Sequence, residues 1–301
     1  MQKNMQLPPK GAKFIGQGIT GSEGSTALPW MLSYGTNIVA GVTPGKGGQV
    51  VHGVPVFNTV KEALQKIGPV AGSVQFVPPM FTLVAVKEAL QAGLKFILIG
   101  AEKVPTKDAA IIQAMADQYE TSVVGPSSVG LISPRRKLKI GSIGGGDPNR
   151  VFADGDIAVI SKSGGMTSEI GLLLKNNGLG VSWAVGIGGD RIISSTFSDF
   201  LLALEKDEKT RASVLFGELG GTYEERVAAH IKAGRIKKPV IAFIAGEFTM
   251  NLPSDVQFGH AGAIIEGDRG LPSTKRRILK EAGVLVAENF DEIPALIKKY
   301  G

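Results

Sequence analysis

The chain has 301 residues, of which 43% are hydrophobic and 20% charged, and its 41 glycines accompany a formal net charge of +6. This length and composition predict two α/β domains and exclude a disordered chain. The sequence contains no cysteine, which excludes disulfides, thiolate metal sites and a cysteine nucleophile.

The positive charge is dispersed and has no accompanying aromatic platform, so we do not expect nucleic-acid binding. The N-terminal residues lack the apolar core of a signal peptide, and no apolar run is long enough to span a bilayer. We therefore expect a cytoplasmic protein without a membrane segment.

In the first half, short apolar runs alternate with helical patterns, which predicts βαβ units on a parallel sheet. The predicted strands are residues 13–15, 37–40, 73–77, 96–99 and 122–124. A glycine-rich stretch at residues 139–155 is interpreted as a linker, so that the predicted domains are residues 1–150 and 151–301.

The second half repeats this alternation. The predicted strands are residues 157–160, 181–185, 213–216, 240–244 and 284–286, and the predicted helices are residues 166–175, 196–204, 223–233, 273–282 and 291–299. We therefore predict a second open parallel sheet, with ligand sites at the carboxyl ends of the strands.

Three glycine-containing turns are candidates for binding an anion. Gly18, Gly21 and Gly24 follow the first strand, where backbone N–H groups at a helix start can approach a phosphate, although a plain tight turn explains them equally well. Lys46 lies among glycines after the second strand. Its side chain either pairs with a ligand phosphate or is solvated in an exposed loop. The segment SKSGG at residues 161–165 opens a predicted helix, where Ser163 can cap the helix and leave N–H groups for phosphate.

The chain has three histidines, and His260 is the candidate for chemistry. It lies in a loop of small residues that a ligand or subunit can approach, whereas His230 falls in a helical pattern and His52 has no acidic neighbour in sequence. A neutral imidazole is a nucleophile near pH 7, and a carboxylate on its other nitrogen would stabilise the charge gained on phosphorylation. Glu218, at a predicted strand end, is the candidate carboxylate. The alternative is that His260 has only a structural role in its loop.

The motifs ITGSEG, GVTPGKGG, GVPVFNTV, SGGM, GIGGD, GELGG and GHAGAII occur in this order, and the chain resembles the α subunits of succinyl-CoA synthetases and their relatives over residues 13–300. The resemblance implies an N-terminal Rossmann-type CoA-binding domain and a C-terminal flavodoxin-like ligase domain. It implies CoA contacts at Thr20, Gly21, Ser22, Glu23, Lys46, Gly100, Ala101 and Glu102. In the ligase domain it implies a phosphohistidine at His260, its acidic partner at Glu218, and a phosphate-binding helix start at Ser161, Ser163, Gly164 and Gly165.

The mechanism implied by the resemblance uses His260 as a phosphoryl carrier. A nucleoside triphosphate phosphorylates the histidine, the phosphoryl group passes to a carboxylate, and the CoA thiol displaces phosphate. No ATP-grasp domain is found in these residues, so the resemblance implies a separate β subunit that binds ATP or GTP with Mg²⁺, in an αβ or (αβ)₂ assembly. No metal site is expected in this chain.

Departures from the succinate enzymes bear on the acid substrate. The segments SGGMTSE at residues 163–169 and GGDR at residues 188–191 resemble those of ATP-citrate lyase and citryl-CoA synthetase instead. A further departure is GPSS at residues 125–128, where the succinate enzymes carry an Asn-Cys pair. Citrate is therefore the favoured substrate, with succinate as the alternative. The candidate acid-binding residues are Ser168, Arg191, Gly220 and Gly221.

Two alternatives belong to other functional classes. A non-catalytic CoA-binding protein would not need the intact His260, Glu218 and SGGM features. A nicotinamide dehydrogenase rests only on the first glycine turn, and Ala40, Gly41 and Val42 stand where an acidic residue would bind the ribose.

Overall fold

The computed structural model describes residues 5–246, 260 and 270–300. The described chain forms two seven-stranded sheets, each flanked by helices, so the predicted α/β class with a mainly parallel sheet in each half is confirmed. Residues 254–259 and the small residues after His260 lie outside the described residues.

The first sheet has the strand order β3-β4-β2-β1-β5-β6-β7 and is parallel except for the β3–β4 pair. Its strands are β1 (Lys13–Gln17), β2 (Asn37–Val42), β3 (Val50–Val51), β4 (Val54–Phe57), β5 (Gly72–Gln75), β6 (Phe96–Ile99) and β7 (Ser122–Val124). The helices between them are α1 (Ser22–Tyr34), α2 (Val60–Ile67), α3 (Thr82–Gln91) and α4 (Thr106–Gln118).

The second sheet has the order β14-β13-β12-β10-β11-β8-β9, in which β8 pairs antiparallel with both β11 and β9. Its strands are β8 (Gly130–Ser133), β9 (Leu138–Gly141), β10 (Asp154–Ser161), β11 (Val181–Gly186), β12 (Ala212–Gly217), β13 (Val240–Ile244) and β14 (Leu285–Val286). The helices are α5 (Gly164–Asn176), α6 (Phe197–Leu204), α7 (Tyr223–Lys232), α8 (Pro272–Glu281) and α9 (Ile293–Lys298).

Buried apolar strands explain why the parallel sheets were readable from the sequence. Every residue of β6, β11 and β12 is buried, as expected for strands covered by helices on both faces. Capping side chains fix several helix starts: Thr59 accepts a hydrogen bond from the N–H of Glu62 at 3.0 Å, and Thr196 and Asp199 form a capping box.

The structure adds a strand pair that the sequence pattern did not predict. Strands β8 and β9 belong to the second sheet although they precede residue 150, and β9 begins within what was interpreted as linker. They are short and rich in turn residues, so periodicity alone did not reveal them. The division into residues 1–150 and 151–301 stays a prediction.

No helix in the described part of the chain combines the length and apolarity needed to cross a membrane.

Helices α7 and α8 are joined by a buried ion pair. The side chains of Glu224 and Lys275 are both fully buried, and Glu225 lies 3.4 Å from the same ammonium nitrogen. An ideal Cβ on Gly217 would stand 2.5 Å from Oε1 of Glu224, so this pair packs directly against the end of β12. The pair thus fixes α7 and α8 beside the strand that leads into Glu218.

We predict that Lys275→Met lowers the free energy of unfolding by about 3–5 kcal/mol, because it leaves the buried Glu224 carboxylate without its counter-charge. Lys275→Met combined with Glu224→Leu should cost less, because the partner charge at Glu224 is removed as well. Urea unfolding followed by fluorescence of Trp183, in a Trp30→Phe background, measures both. Equal losses in the single and double variants would contradict the role of the buried charge.

Candidate functional site

A cavity of about 580 Å³ lies where the two halves of the molecule meet. It is lined by residues that follow β5, β6, β7 and β10 and by Glu23 of α1, consistent with ligand binding at the carboxyl ends of parallel strands. The lining residues include Glu23, Gly100, Glu102, Ser127, Ser128, Lys162, Ser163, Gly164, Gly165 and His260. Residues predicted from both halves therefore meet in one cavity.

His260 is held by a carboxylate from the second sheet. Its Nδ1 lies 2.7 Å from Oε2 of Glu218, which follows the end of β12. The other carboxylate oxygen, Oε1, lies 3.1 Å from Nζ of Lys162, whose side chain is 2% exposed. One carboxylate thus binds the imidazole on one side and a buried cation on the other.

The charges of this cluster shift its pKa values. Burial alone would raise the pKa of Glu218, but the hydrogen bond with His260 and the charge of Lys162 together hold it below its ordinary value. The hydrogen bond to Glu218 raises the pKa of His260, against the opposing effects of burial and Lys162. Glu218 is therefore ionised at neutral pH and favours positive charge on the ring.

The hydrogen bond also selects the tautomer of His260. An ionised carboxylate only accepts hydrogen bonds, so the proton lies on Nδ1 and the lone pair of the neutral ring lies on Nε2. Gly189 packs against this ring, since an ideal Cβ there would stand 2.5 Å from Cδ2 of His260. The ring is thus fixed through Nδ1 while Nε2 is the nucleophilic nitrogen.

The start of α5 contributes hydrogen-bond donors to the same cavity. Ser163 is the N-cap and accepts a 3.4 Å hydrogen bond from the N–H of Met166. Gly164 and Gly165 line the cavity, and nothing lies within 4 Å of an ideal Cβ on Gly165. Their N–H groups belong to the first turn, which has no intrahelical acceptors, so they can bind an anion. Ser161 is fully buried and hydrogen-bonds to Ser163.

The first glycine turn borders a second, mainly apolar cavity of about 500 Å³. Thr20 and Gly21 line it, together with apolar residues that include Phe76 and Phe81. Gly18 has a φ of 81° and Gly24 would place a Cβ 2.6 Å from the carbonyl oxygen of Gly18, so the turn requires both glycines.

The predicted Lys46 lies on an exposed loop beyond this turn. Asn58 organises the loop by accepting hydrogen bonds from the N–H groups of Gly45 and Gly47 at 2.9 and 3.0 Å. Lys46 is thus held near the first turn by its backbone, with its side chain accessible.

The other predicted residues lie around these cavities. Nine predicted residues are absent from the described lining of both cavities: Ser22, Lys46, Ala101, Ser161, Ser168, Glu218, Arg191, Gly220 and Gly221. The N–H of Gly220 donates to the carbonyl of Gly270 at 2.8 Å, which ties the Glu218 loop to the chain that follows the His260 segment. Arg191 is exposed and follows Gly189, which packs on His260.

Lys162 is the site residue that the sequence did not single out. It stands between the two serines of the predicted anion-binding turn, and its signal was a lysine at the buried end of an apolar strand. Its partner Glu218 lies far away in the sequence and belongs to a different strand end. Sequence spacing alone does not reveal such a contact.

Among the described residues, no group of three or more histidine, cysteine, aspartate or glutamate side chains is arranged to hold a metal ion.

We predict that Glu218→Gln lowers the pKa of His260, because the hydrogen-bonded charge is lost while burial and Lys162 still oppose protonation. Lys162→Met should move the same pKa upward, since the opposing positive charge is removed. NMR titration of the imidazole signals measures the pKa. Shifts of the same sign in both variants would contradict the arrangement.

Comparison with protein families and with similar proteins identifies the family of this chain. Residues 10–103 match the CoA binding domain and residues 160–289 match the CoA-ligase family. The alpha subunit 1 of an ADP-forming succinate–CoA ligase from Archaeoglobus fulgidus is 42% identical over 97% of this chain and 97% of its own length. A subunit of an ADP-forming sulfoacetate–CoA ligase from Acholeplasma is 40% identical over 95% of this chain and 94% of its own length.

A solved structure shares the fold over nearly the whole chain. ATP citrate lyase from Methanothrix soehngenii, in complex with citrate and coenzyme A, is 25% identical with a TM-score of 0.88 and covers 99% of this chain. This chain spans 50% of the length of that lyase chain. The match of residues 10–103 to a CoA binding domain also argues against a nicotinamide dehydrogenase, because it assigns the first glycine turn to a CoA-binding family. The chain therefore belongs to the family of nucleoside-diphosphate-forming CoA ligases and is homologous to their alpha subunits.

Proposed function

We propose that this chain is the small subunit of an ATP- or GTP-dependent citrate–CoA ligase, in which His260 carries a phosphoryl group. The observation that carries the proposal is the 2.7 Å hydrogen bond from Nδ1 of His260 to Glu218, in a cavity shared with Gly100 and Glu102. That arrangement prepares a nucleophilic nitrogen beside residues of the CoA-binding domain.

In the proposed first step, Nε2 of His260 attacks the γ-phosphorus of the nucleotide. A P–N bond forms and the P–O bond to the nucleoside diphosphate breaks, while Glu218 stabilises the positive charge gained by the ring. The N–H groups of Gly164 and Gly165 at the start of α5 donate hydrogen bonds to the phosphoryl oxygens.

In the second step a carboxylate oxygen of the acid attacks the phosphorus, giving an acyl phosphate and regenerating the neutral imidazole. In the third step the CoA sulfur attacks the acyl carbon, phosphate leaves, and the thiol proton is released. The two phosphoryl transfers replace one unfavourable condensation by steps with better leaving groups.

The residues of the first half fit CoA as the thiol substrate. The turn at Thr20 and Gly21, continued by Ser22 and Glu23 at the start of α1, offers N–H and hydroxyl groups to phosphate, and the apolar cavity beside it offers contact surface. Lys46 supplies a cation on the adjacent loop. Gly100, Ala101 and Glu102 lead from there to the cavity that contains His260.

The proposed partner is an ATP-grasp beta subunit, in an αβ or (αβ)₂ assembly, that binds the nucleotide with Mg²⁺. The ion, when bound, neutralises phosphate charge in the first transfer. This chain's own contribution is to hold His260 and the phosphoryl oxygens.

Citrate is proposed as the acid because the GGDR segment places the cation Arg191 two residues after Gly189, which packs on His260. Ser168, Gly220 and Gly221 are the other proposed contacts. Succinate is the second candidate, favoured by relatives that are 42% identical and named as succinate–CoA ligase subunits.

We predict that the complex, after treatment with ATP, carries one phosphoryl group on His260 that citrate plus CoA removes. His260→Asn should lose this group and at least about 10³-fold of turnover, because the nucleophile is gone. Mass spectrometry of the intact chain measures the modification. His52→Asn is the control and should retain it. Full turnover by His260→Asn would overturn the proposal.

A second prediction concerns the acid. Arg191→Ala should raise the KM for citrate about tenfold, equivalent to about 1.4 kcal/mol, and leave the KM for succinate nearly unchanged. Initial rates of ADP formation with citrate, succinate, malate and sulfoacetate test this. Turnover with succinate and none with citrate would replace the citrate proposal by its alternative.

A further inference from the structure

We propose that Lys162 is a positioning residue for phosphoryl transfer, which holds the Glu218 carboxylate so that the ring of His260 stays neutral and its Nε2 stays free for the phosphoryl group. The inference rests on the proposed function, because the step that it serves is the attack of Nε2 on the nucleotide. None of the three proposed steps uses the ammonium group of Lys162, which acts through Glu218.

Lys162 is attached to the strand of Glu218 at two points. Its backbone N–H donates to the carbonyl oxygen of Phe216 in β12 at 3.2 Å. Its Nζ lies 3.1 Å from Oε1 of Glu218, which follows the same strand. Ser161, the residue before Lys162, is paired with Phe216 in the parallel register of β10 and β12. The sheet therefore fixes both ends of the lysine relative to the carboxylate.

The ammonium group of Lys162 is almost completely removed from solvent. Its side chain is 2% exposed, and that of Glu218 is 12% exposed. Nζ also lies 5.7 Å from the centre of the Tyr223 ring. An aromatic ring attracts a cation weakly, whereas a carboxylate supplies the full counter-charge that a buried cation requires. The ammonium is therefore held at Oε1 of Glu218.

The two oxygens of Glu218 are thereby assigned to different partners. Oε2 lies 2.7 Å from Nδ1 of His260, while Oε1 pairs with the ammonium of Lys162. A carboxylate held by the imidazole alone could rotate about its terminal bond, because such sp³–sp² torsions are broad and roughly two-fold. Two contacts on opposite oxygens remove that freedom, so the direction in which the carboxylate meets Nδ1 is fixed.

Lys162 also balances the charge that the ring of His260 meets. An unpaired Glu218 would favour a proton on both ring nitrogens, which removes the lone pair of Nε2. The hydrogen bond to Glu218 raises the pKa of His260, and burial and the charge of Lys162 oppose that rise. The ring therefore keeps its hydrogen bond at Nδ1 while a larger fraction of it stays neutral and nucleophilic.

The other charged groups around His260 are acids. Glu23 in α1 and Glu102 after β6 line the same cavity, and Asp190 lies in the loop after β11. Each of these carboxylates favours positive charge on the ring. Among the described residues that line the cavity, Lys162 is the one lysine or arginine. It is therefore the fixed cation that opposes protonation of His260.

The first test follows the phosphorylation of His260 against pH in the complex with its beta subunit. The initial rate of labelling by radiolabelled ATP is measured for wild type and for Lys162→Met. At neutral pH we expect the variant to be at least about threefold slower, because more of its ring is protonated. At alkaline pH the two rates should approach each other, because the ring is then neutral in both proteins.

Two further variants separate charge from general loosening. Lys162→Arg keeps the cation and should show the wild-type ratio of the rates at neutral and alkaline pH. Lys175→Met removes a lysine near the other end of α5, where it donates to the carbonyl oxygens of Asn149 and Arg150, and should react as wild type does. Slowing of Lys162→Met by one factor at every pH, or the same pH-dependent defect in Lys162→Arg, would overturn the proposal.

Chemical modification tests the role of Lys162 without nucleotide. Diethyl pyrocarbonate acylates neutral imidazoles, and peptide mass spectrometry distinguishes His260 from His52 and His230, which serve as internal references. The pH of half-maximal modification of His260 should be higher in Lys162→Met than in wild type or Lys175→Met. An unchanged or lower midpoint would contradict the role of Lys162. If wild-type His260 is modified but never labelled by ATP, the proposed function fails, while the midpoint still decides what Lys162 does.

Discussion

The hydrogen bond between Glu218 and Nδ1 of His260 is the interaction on which the site depends. It fixes the tautomer, sets the direction of both pKa shifts and leaves Nε2 as the nucleophile. Lys162 pairs with the same carboxylate and keeps it ionised in a buried position. His260 thereby acquires a fixed orientation and a charge environment that favours positive charge on its ring.

This hydrogen bond forms only if the segments that carry Glu218 and His260, which are far apart in sequence, are held in fixed positions. Glu218 follows β12, which packs against the buried Glu224 and Lys275 pair, and Gly220 bonds to Gly270 beyond the His260 segment. The close approach at Gly217 and the φ of 83° at Gly220 explain the glycines before and after Glu218. The loop is thus positioned by packing of α7 and α8 rather than by its own sequence.

The two cavities contain parts with different physical tasks. The start of α5 offers N–H donors to an anion, and the first glycine turn offers the same type of site to a second anion on the other sheet. Between them, the loop after β11 joins the two halves, because the N–H of Ser194 donates to the carbonyl oxygen of Gly125 at 2.9 Å. A reaction that moves a phosphoryl group and then requires a thiol needs both anion sites and a fixed distance between them.

The sequence by itself determined the alternation of strands and helices, the anion-binding turns and the candidacy of His260 and Glu218. These are local signals, because apolar runs fill buried strands and glycines permit tight turns. Only the tertiary structure decided that β8 and β9 join the second sheet and that Lys162 shares the Glu218 carboxylate. Such contacts join residues far apart in the chain, and they arise from packing and long-range charge pairing that periodicity does not record.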